Sequence, residues 1–234
     1  MTNLRSTARI TGVAYLGLAV SALLAHFVIH GQLHVPDDAA RTAASLVAHE
    51  GLARLGIVVD LAVVLTQTVA AVWFWTLFRP LHAVAAGSIA AFGLVNAVVI
   101  LIATACSAAA LEVALRADAS STSDALLLYD LNAAALRLAS LFFGLWLIPM
   151  GWLVVRSRYM PRPLGWILVG GGIGYVVSVP VAALAPDAAA LAYAMTVPAT
   201  VGELWTVGYL LTKGVADRAA ATGPPTDELG LALS

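Results

Sequence analysis

Three ionisable residues, Asp60, Arg137 and Glu203, lie inside long apolar stretches of the sequence. A charged side chain costs roughly 2.5 to 3.5 kcal/mol at the centre of a membrane helix, so we expect each of them to face protein or water rather than lipid. Counting about 1.5 Å per residue from the outer ends of their stretches places all three at a similar depth. The sequence therefore predicts that the two acids and the arginine converge.

The two acids outnumber the one arginine, and the unpaired acid suggests proton-transfer chemistry. One arginine neutralises one acid, and the second acid is expected to keep a proton because burial disfavours the charged carboxylate. A buried carboxylic acid is a proton donor, which acid catalysis and proton-coupled transport both require. The alternative is that Arg137 pairs with an acid only to fix the packing of helices.

The composition indicates an integral membrane protein. Residues of the set AVILMFWYC make up 61% of the 234 residues, and charged residues only 11%. The mean hydropathy is +0.93, which a soluble domain reaches only by covering its surface with apolar side chains. The net charge of -1 gives no basic field for nucleic acid. Cys106 is the single cysteine, which excludes an internal disulfide and a thiolate metal site.

We predict an all-α, polytopic membrane protein: a six-transmembrane-helix bundle in one domain, residues 1–213, followed by a disordered tail, residues 214–234. The chain has room for six crossings of about 20 residues and for no soluble domain. Residues 39–48 are typical of an amphipathic helix lying on the membrane surface. The six apolar stretches are residues 10–30, 52–78, 83–111, 125–155, 164–184 and 190–212.

The distribution of basic residues predicts the orientation. Loops on the cytoplasmic side of a membrane protein carry an excess of lysine and arginine. With both termini cytoplasmic, most of the basic residues near the helix ends fall on that side, so we predict this topology in the cell (plasma) membrane. The cytoplasmic set is Arg5, Arg9, Arg79, Arg156, Arg158, Arg162, Lys213 and Arg218, and the outer set is Arg41, Arg54 and Arg116.

Four histidines near the first loop raise the question of a metal site. His26, His30 and His34 follow one another at intervals of four residues, and His49 comes later. Histidines at this spacing share one face of a helix and are able to bind a metal ion. Gly31 and Pro36 are expected to end the helix before the third histidine aligns, so we predict no metal site, and we expect no cofactor.

Sequence motifs along nearly the whole chain resemble those of a bacterial six-helix membrane family that is known only as a domain of unknown function. The motifs that carry the resemblance are, in order, GVAYLGL, VPDDAARTA, LARLGIVVDL, FRPL, LFFGLWLIPMGWLVVRS, YMPRPLGW, VPATVGELW and LLTKG. They extend from residue 9 to residue 214. The resemblance implies the six-span topology and implies no activity.

The layout of acids in the second and last spans is similar to that of membrane-bound terpene cyclases, which protonate an epoxide or alkene of an isoprenoid. This resemblance implies a lyase or isomerase that acts on a lipophilic substrate by acid catalysis. We expect Glu203 to be the acid, because Pro198, one turn before it, frees backbone groups and lets the sixth helix open beside a cavity. Asp60 is instead placed to pair with Arg137. Candidate substrate-binding residues, polar or aromatic, are Tyr15, His26, Gln67, Asn96, Phe142, Trp146, Tyr175 and Trp205.

A second hypothesis from a different class uses the same acids as a proton relay. It describes the protein as a proton-coupled small-molecule carrier or a membrane sensor. Six spans without a clear inverted repeat make a thin carrier unless the protein forms a homo-oligomer. A purely structural membrane subunit needs no buried acids and explains the sequence least. The expected partners are therefore a lipophilic small molecule and membrane lipids, with no nucleic acid.

Overall fold

The computed structural model describes residues 4–25, 29, 31–33, 35, 38–116 and 121–215. Within these residues the chain forms nine α-helices and no strand, which confirms the predicted all-α class. The helices are α1 Leu4–Leu23, α2 Gly31–Leu33, α3 Ala39–Ala48, α4 Glu50–Phe78, α5 Ala83–Arg116, α6 Ser121–Ser157, α7 Arg162–Leu184, α8 Ala189–Ala194 and α9 Val197–Thr212.

Five of the described helices are long and apolar enough to cross a membrane, namely α1, α4, α5, α6 and α7. The predicted sixth span is divided into α8 and α9 by a turn at Met195 and Thr196. Pro198 lies in the first turn of α9, where a missing N–H costs nothing, instead of bending a continuous helix. The 16 residues of α9 extend about 24 Å, less than the roughly 30 Å of a bilayer core.

Helix α3 confirms the amphipathic segment predicted at residues 39–48. The carboxylate of Asp38 accepts a hydrogen bond of 2.9 Å from the backbone N–H of Arg41, which caps the start of the helix. One turn later, Thr42 Oγ1 donates to the carbonyl of Val35 at 3.0 Å, and Thr42 is fully buried. The helix is thereby tied to the loop that precedes it.

The long helices form a closed ring. Each packs against its neighbour in sequence, from α1 through α4, α5, α6 and α7 to α9, and α9 packs against α1. The largest core cluster lies inside this ring and includes Tyr15, Phe74 and Trp146, each no more than 1% exposed. A second buried cluster, with Val59 and Tyr129, lies at the other end of α4. The ring thus positions one site between the first and last helices.

Glycines set the spacing of α6, α7 and α9. A Cβ on Gly144 would stand 2.6 Å from the carbonyl oxygen of Gly172, and one on Gly151 would stand 2.5 Å from that of Gly165. A Cβ on Gly171 would lie 2.5 Å from the backbone N of Ala199 in α9. Because real Cβ atoms do not approach backbone so closely, only glycine lets these helices pack at this distance.

Several sequence boundaries differ from the described helices. α1 begins at Leu4, six residues before the predicted first span, and α6 extends four residues before and two after the predicted fourth span. The predicted tail begins at residue 214, and only its first two residues lie in the described part of the chain. His26, His30 and His34 lie outside the described residues.

Candidate functional site

A hydrogen bond between the first and last helices forms the centre of the candidate site. The hydroxyl of Tyr15 donates to Oε1 of Glu203 at 2.5 Å. Tyr15 is 1% exposed and Glu203 is partly buried. One turn before Tyr15, Gly12 lets α1 approach α9 so closely that a Cβ there would stand 2.9 Å from Cβ of Leu210. The close approach of the two helices therefore brings the phenol within reach of the carboxyl group.

Aromatic rings surround this pair. The ring of Tyr15 meets Phe74 edge to face with centroids 5.2 Å apart, and meets Trp146 with centroids 5.9 Å apart. Phe143 stacks on Trp146 at 6.3 Å and contacts Tyr175 edge to face at 5.2 Å. Such contacts orient the rings as well as burying them. The predicted residues Tyr15, Trp146 and Tyr175 are thus joined in one aromatic cluster.

Tyr175 reaches the site from α7. Its ring is partly buried and contacts Phe143, which stacks on Trp146 beside Tyr15. Gly172 and Gly174, which precede Tyr175 by three residues and by one, hold α7 against α6 and against the segment before α9. Three helices, α1, α7 and α9, therefore contribute polar groups to one small region.

Two buried polar groups beside the aromatic cluster have no hydrogen-bond partner among the described residues. They are both amide atoms of Gln67, which is 0% exposed, and the indole N–H of Trp146. Gln67 precedes Ala71 by one helical turn, and Ala71 and Trp146 both lie against Gly93. Asn96 is 3% exposed and lies one turn after Gly93, so it is nearly level with Gln67. The predicted residues Gln67 and Asn96 therefore adjoin the site.

Asp60 does not join Glu203. It is 6% exposed and follows Val59, in the half of α4 that carries the second buried cluster with Tyr129. Fourteen residues separate Asp60 from Phe74, which is about 21 Å along the helix axis. Tyr15 packs on Phe74, so the two acids lie in different clusters. Counting residues from the outer ends of the apolar stretches placed Asp60 and Glu203 at one depth, because that count assumes that every helix ends at the membrane surface.

Arg137 is exposed on α6, and within the described residues no hydrogen bond or ion pair joins it to Asp60 or Glu203. The predicted convergence of three charges is therefore not found. α6 has 37 residues and is about 55 Å long, well beyond a bilayer core of about 30 Å. If Arg156 marks one edge of the bilayer core, a rise of roughly 1.5 Å per residue over about 30 Å ends near Leu136, so Arg137 would lie at the opposite edge.

The remaining predicted residues lie apart from the site or outside the described chain. Trp205 is 40% exposed, and Phe142 is partly buried with no ring contact among the described residues. His26 lies outside the described residues, and His49 is exposed with Nδ1 3.1 Å from the carbonyl of Ser45. Within the described part of the chain no group of three metal-ligating side chains occurs.

Phe74 and Phe143 belong to the site but were not among the predicted residues. Phe74 follows Gln67 by seven residues and therefore lies on the same face of α4. Phe143 precedes Trp146 by three residues and shares its face of α6. The helical spacing of Phe74 from Gln67, and of Phe143 from Trp146, is a sequence signal that would have identified both phenylalanines.

Comparison with known proteins identifies a family whose activity is unknown. The family described as Domain of unknown function (DUF4386) matches residues 10–214. No curated protein and no solved structure matches the chain.

Proposed function

Since the chain belongs to the DUF4386 family, whose function is unknown, we propose a function from the geometry of its core: the protein is a membrane-embedded enzyme that protonates a lipophilic substrate. Glu203 is the acid. The observation that carries the proposal is the hydrogen bond from Tyr15 to Glu203, enclosed by aromatic rings between the first and last helices. A carboxyl group in such a place is a functional candidate because its burial is costly.

The proposed step is the transfer of one proton from Glu203 to a carbon or an epoxide oxygen of the substrate. The carboxylic O–H bond breaks, a new C–H or O–H bond forms, and a carboxylate remains. The hydrogen bond that Tyr15 donates at 2.5 Å stabilises that carboxylate. The substrate cation then loses a different proton, which the carboxylate accepts, so the enzyme is restored without a cofactor.

The surrounding rings favour a substrate that passes through a carbocation. Ring faces attract positive charge, and the effect increases when water is excluded. Tyr15, Phe74 and Trp146 are each no more than 1% exposed, so these rings are shielded from water. We therefore propose an isoprenoid epoxide or alkene as the substrate class, and cyclisation or isomerisation as the reaction.

Deuterium incorporation tests this proposal. The purified protein in lipid nanodiscs is incubated in D₂O with a panel of isoprenoid alkenes and epoxides, and the products are analysed by mass spectrometry. Protonation of an alkene by Glu203 places one deuterium on carbon, so the product of an isomerisation is heavier by one mass unit. Glu203→Gln should abolish this product, because the amide keeps the shape but carries no acidic proton.

The matched control is Glu112→Gln, which makes the same change at an exposed position of α5. It should leave product formation unchanged. Failure of the wild-type protein to convert any member of the panel would contradict the proposed substrate class. Full activity in Glu203→Gln would contradict the proposed acid.

A proton-coupled carrier or sensor is the second candidate, and a polar line along α4 favours it. Asp60 and Gln67 are seven residues apart and share one face, and Gln67 adjoins the site of Glu203. In this candidate protons pass between the two acids. Proteoliposomes with a pH-sensitive dye inside test it: a substrate-dependent pH change that Asp60→Asn abolishes would support the carrier, and its absence in the wild type would exclude it.

The topology proposed with this function has six spans, with both termini in the cytoplasm and the protein in the plasma membrane. α8 and α9 together complete the sixth crossing in this proposal. The side with the most arginines is cytoplasmic. The outer ends of α4, α5 and α6 then extend beyond the bilayer and pack with α3, since each of these three helices is longer than about 30 Å.

A further inference from the structure

An apolar groove opens on the outside of the helix ring, between the start of α5, the end of α6 and the start of α7. Its volume is about 550 Å³, and it is separate from the site of Tyr15 and Glu203. On α6 the lining extends from Leu145 to Val155. This is about 15 Å along the helix axis, which equals the depth of one leaflet of the hydrocarbon core.

The walls of the groove are almost entirely apolar. They suit a flexible hydrocarbon chain because they offer large ring and branched side chains on three helices. Ser88 is the one hydroxyl in the lining, and its hydrogen is already donated to the carbonyl of Val84 at 3.0 Å. The main apolar lining residues are Phe92, Leu145, Ile148, Trp152, Trp166 and Val169.

One end of the groove carries groups that bind phosphate. The guanidinium of Arg156 lies 5.1 Å from the ring centroid of Trp152, which holds the charge beside the groove. The ring of His82 also meets Trp152, edge to face with centroids 5.2 Å apart. Nδ1 of His82 accepts a hydrogen bond of 3.1 Å from the backbone N–H of Ala85, so in the neutral ring the proton is on Nε2, which is able to donate.

We propose that this groove binds one anionic phospholipid of the surrounding membrane. An acyl chain lies against the apolar walls, and the headgroup phosphate contacts Arg156 and Nε2 of His82. Basic pockets between membrane helices bind anionic headgroups in this way, and each arginine near the membrane surface contributes to the attraction. The positive charge at one end would attract any anion, but the apolar lining, as long as one leaflet is deep, also fits an acyl chain. The two features together favour a lipid over a soluble anion or a peptide.

Lipid-dependent unfolding tests the proposal. The delipidated full-length protein in neutral detergent is titrated with dioleoyl phosphatidylglycerol or with dioleoyl phosphatidylcholine, and the unfolding temperature is measured at each concentration. Phosphatidylglycerol should raise the unfolding temperature at lower concentration than phosphatidylcholine. Arg156→Gln should weaken the apparent affinity for phosphatidylglycerol about fivefold and bring it close to that for phosphatidylcholine.

The matched control is Arg79→Gln. Arg79 makes the same arrangement as Arg156, with its guanidinium 4.7 Å from the ring centroid of Trp75, but Trp75, unlike Trp152, is not in the groove lining. Its replacement should leave the preference for phosphatidylglycerol unchanged. Equal responses of the wild type to the two lipids, or an unchanged preference in Arg156→Gln, would overturn the proposal.

A second variant tests the acyl-chain part. Ser88→Trp fills the groove from α5 at a partly buried position and should reduce the response to both lipids equally. An undiminished response in this variant would show that the chain binds elsewhere. Because neither Arg156 nor Ser88 touches Glu203 in the described structure, the outcome is independent of the proposed acid chemistry.

Discussion

The hydroxyl of Tyr15 and the carboxyl group of Glu203 are 188 positions apart in sequence and 2.5 Å apart in space. The bond closes the ring of helices, because α1 and α9 are the first and last long elements of the bundle. It also places the carboxyl group beside aromatic rings that are almost fully buried. The same contact therefore serves the fold and the proposed chemistry, and the two roles are separable by substitution.

Tyr15→Phe should slow the proposed reaction without unfolding the protein. The ring and its contacts with Phe74 and Trp146 remain, and only the hydrogen bond to Glu203 is lost. A hydrogen bond to a charged group contributes about 1.5 to 3 kcal/mol, so the single-turnover rate should fall roughly 10- to 100-fold. Tyr193→Phe, at a residue 65% exposed, is the control and should be silent. An unchanged rate in Tyr15→Phe would exclude the stabilising role of the phenol.

Gln67→Met should stabilise the protein while impairing its function. Both amide atoms of Gln67 are buried without a partner among the described residues, and a group in that state costs about 1 to 3 kcal/mol. The contrasting variant is Asn132→Leu, because Nδ2 of Asn132 donates a 2.7 Å hydrogen bond to the carbonyl of Ala103. Thermal unfolding in detergent should show a higher midpoint for Gln67→Met and a lower one for Asn132→Leu. A lower midpoint in both would mean that the Gln67 amide is hydrogen-bonded in the folded protein.

Two adjacent glycines of α7 should respond in opposite ways to alanine. A Cβ on Gly171 would stand 2.5 Å from backbone atoms of Ala199, whereas one on Gly170 meets nothing within 4 Å. Gly171→Ala should therefore lower stability by about 1 to 3 kcal/mol, the usual cost of overpacking. Gly170→Ala should be neutral or stabilising by up to about 1 kcal/mol, because alanine loses less backbone entropy in a helix. Denaturant titration of the two variants in one detergent measures the difference, and equal losses would refute the close packing of α7 on α9.

Cysteine labelling in whole cells should establish the proposed orientation. In a Cys106→Ser background, Arg41→Cys in α3 should react with a membrane-impermeant maleimide added outside. Arg158→Cys, between α6 and α7, should react only after the membrane is permeabilised. The opposite pattern would place both termini outside and invert the topology.

The sequence predicted the helices better than it predicted the site. The long apolar stretches and the amphipathic pattern of residues 39–48 define α3 to α7 closely, because these signals are local. Convergence of side chains depends on helix faces and on how far each helix extends beyond the bilayer. Arg137 is five residues from the buried Asn132, which places it about 140° around the helix from the packed face. A depth count alone does not contain that information.

Within the site, the sequence identified the residues that are unusual for a membrane helix. Glu203, Gln67 and Trp146 are such residues, and all three lie at or beside the aromatic cluster. It did not identify Phe74, since a phenylalanine in an apolar helix carries no signal of its own. Only its period with Gln67 on one face of α4 indicates that it lines the same region.

The glycine contacts of α7 determine which part of the bundle is able to move. α7 meets the backbone of α6 at Gly172 and that of α9 at Gly171, so at these two points no side chain stands between the helices that could rotate and make space. We expect α6, α7 and α9 to behave as one rigid body. If a substrate reaches the proposed acid Glu203 between α1 and α9, it displaces the hydrogen bond from Tyr15. In that case Glu203 would stay hydrogen-bonded to Tyr15 until the substrate separates α1 from α9.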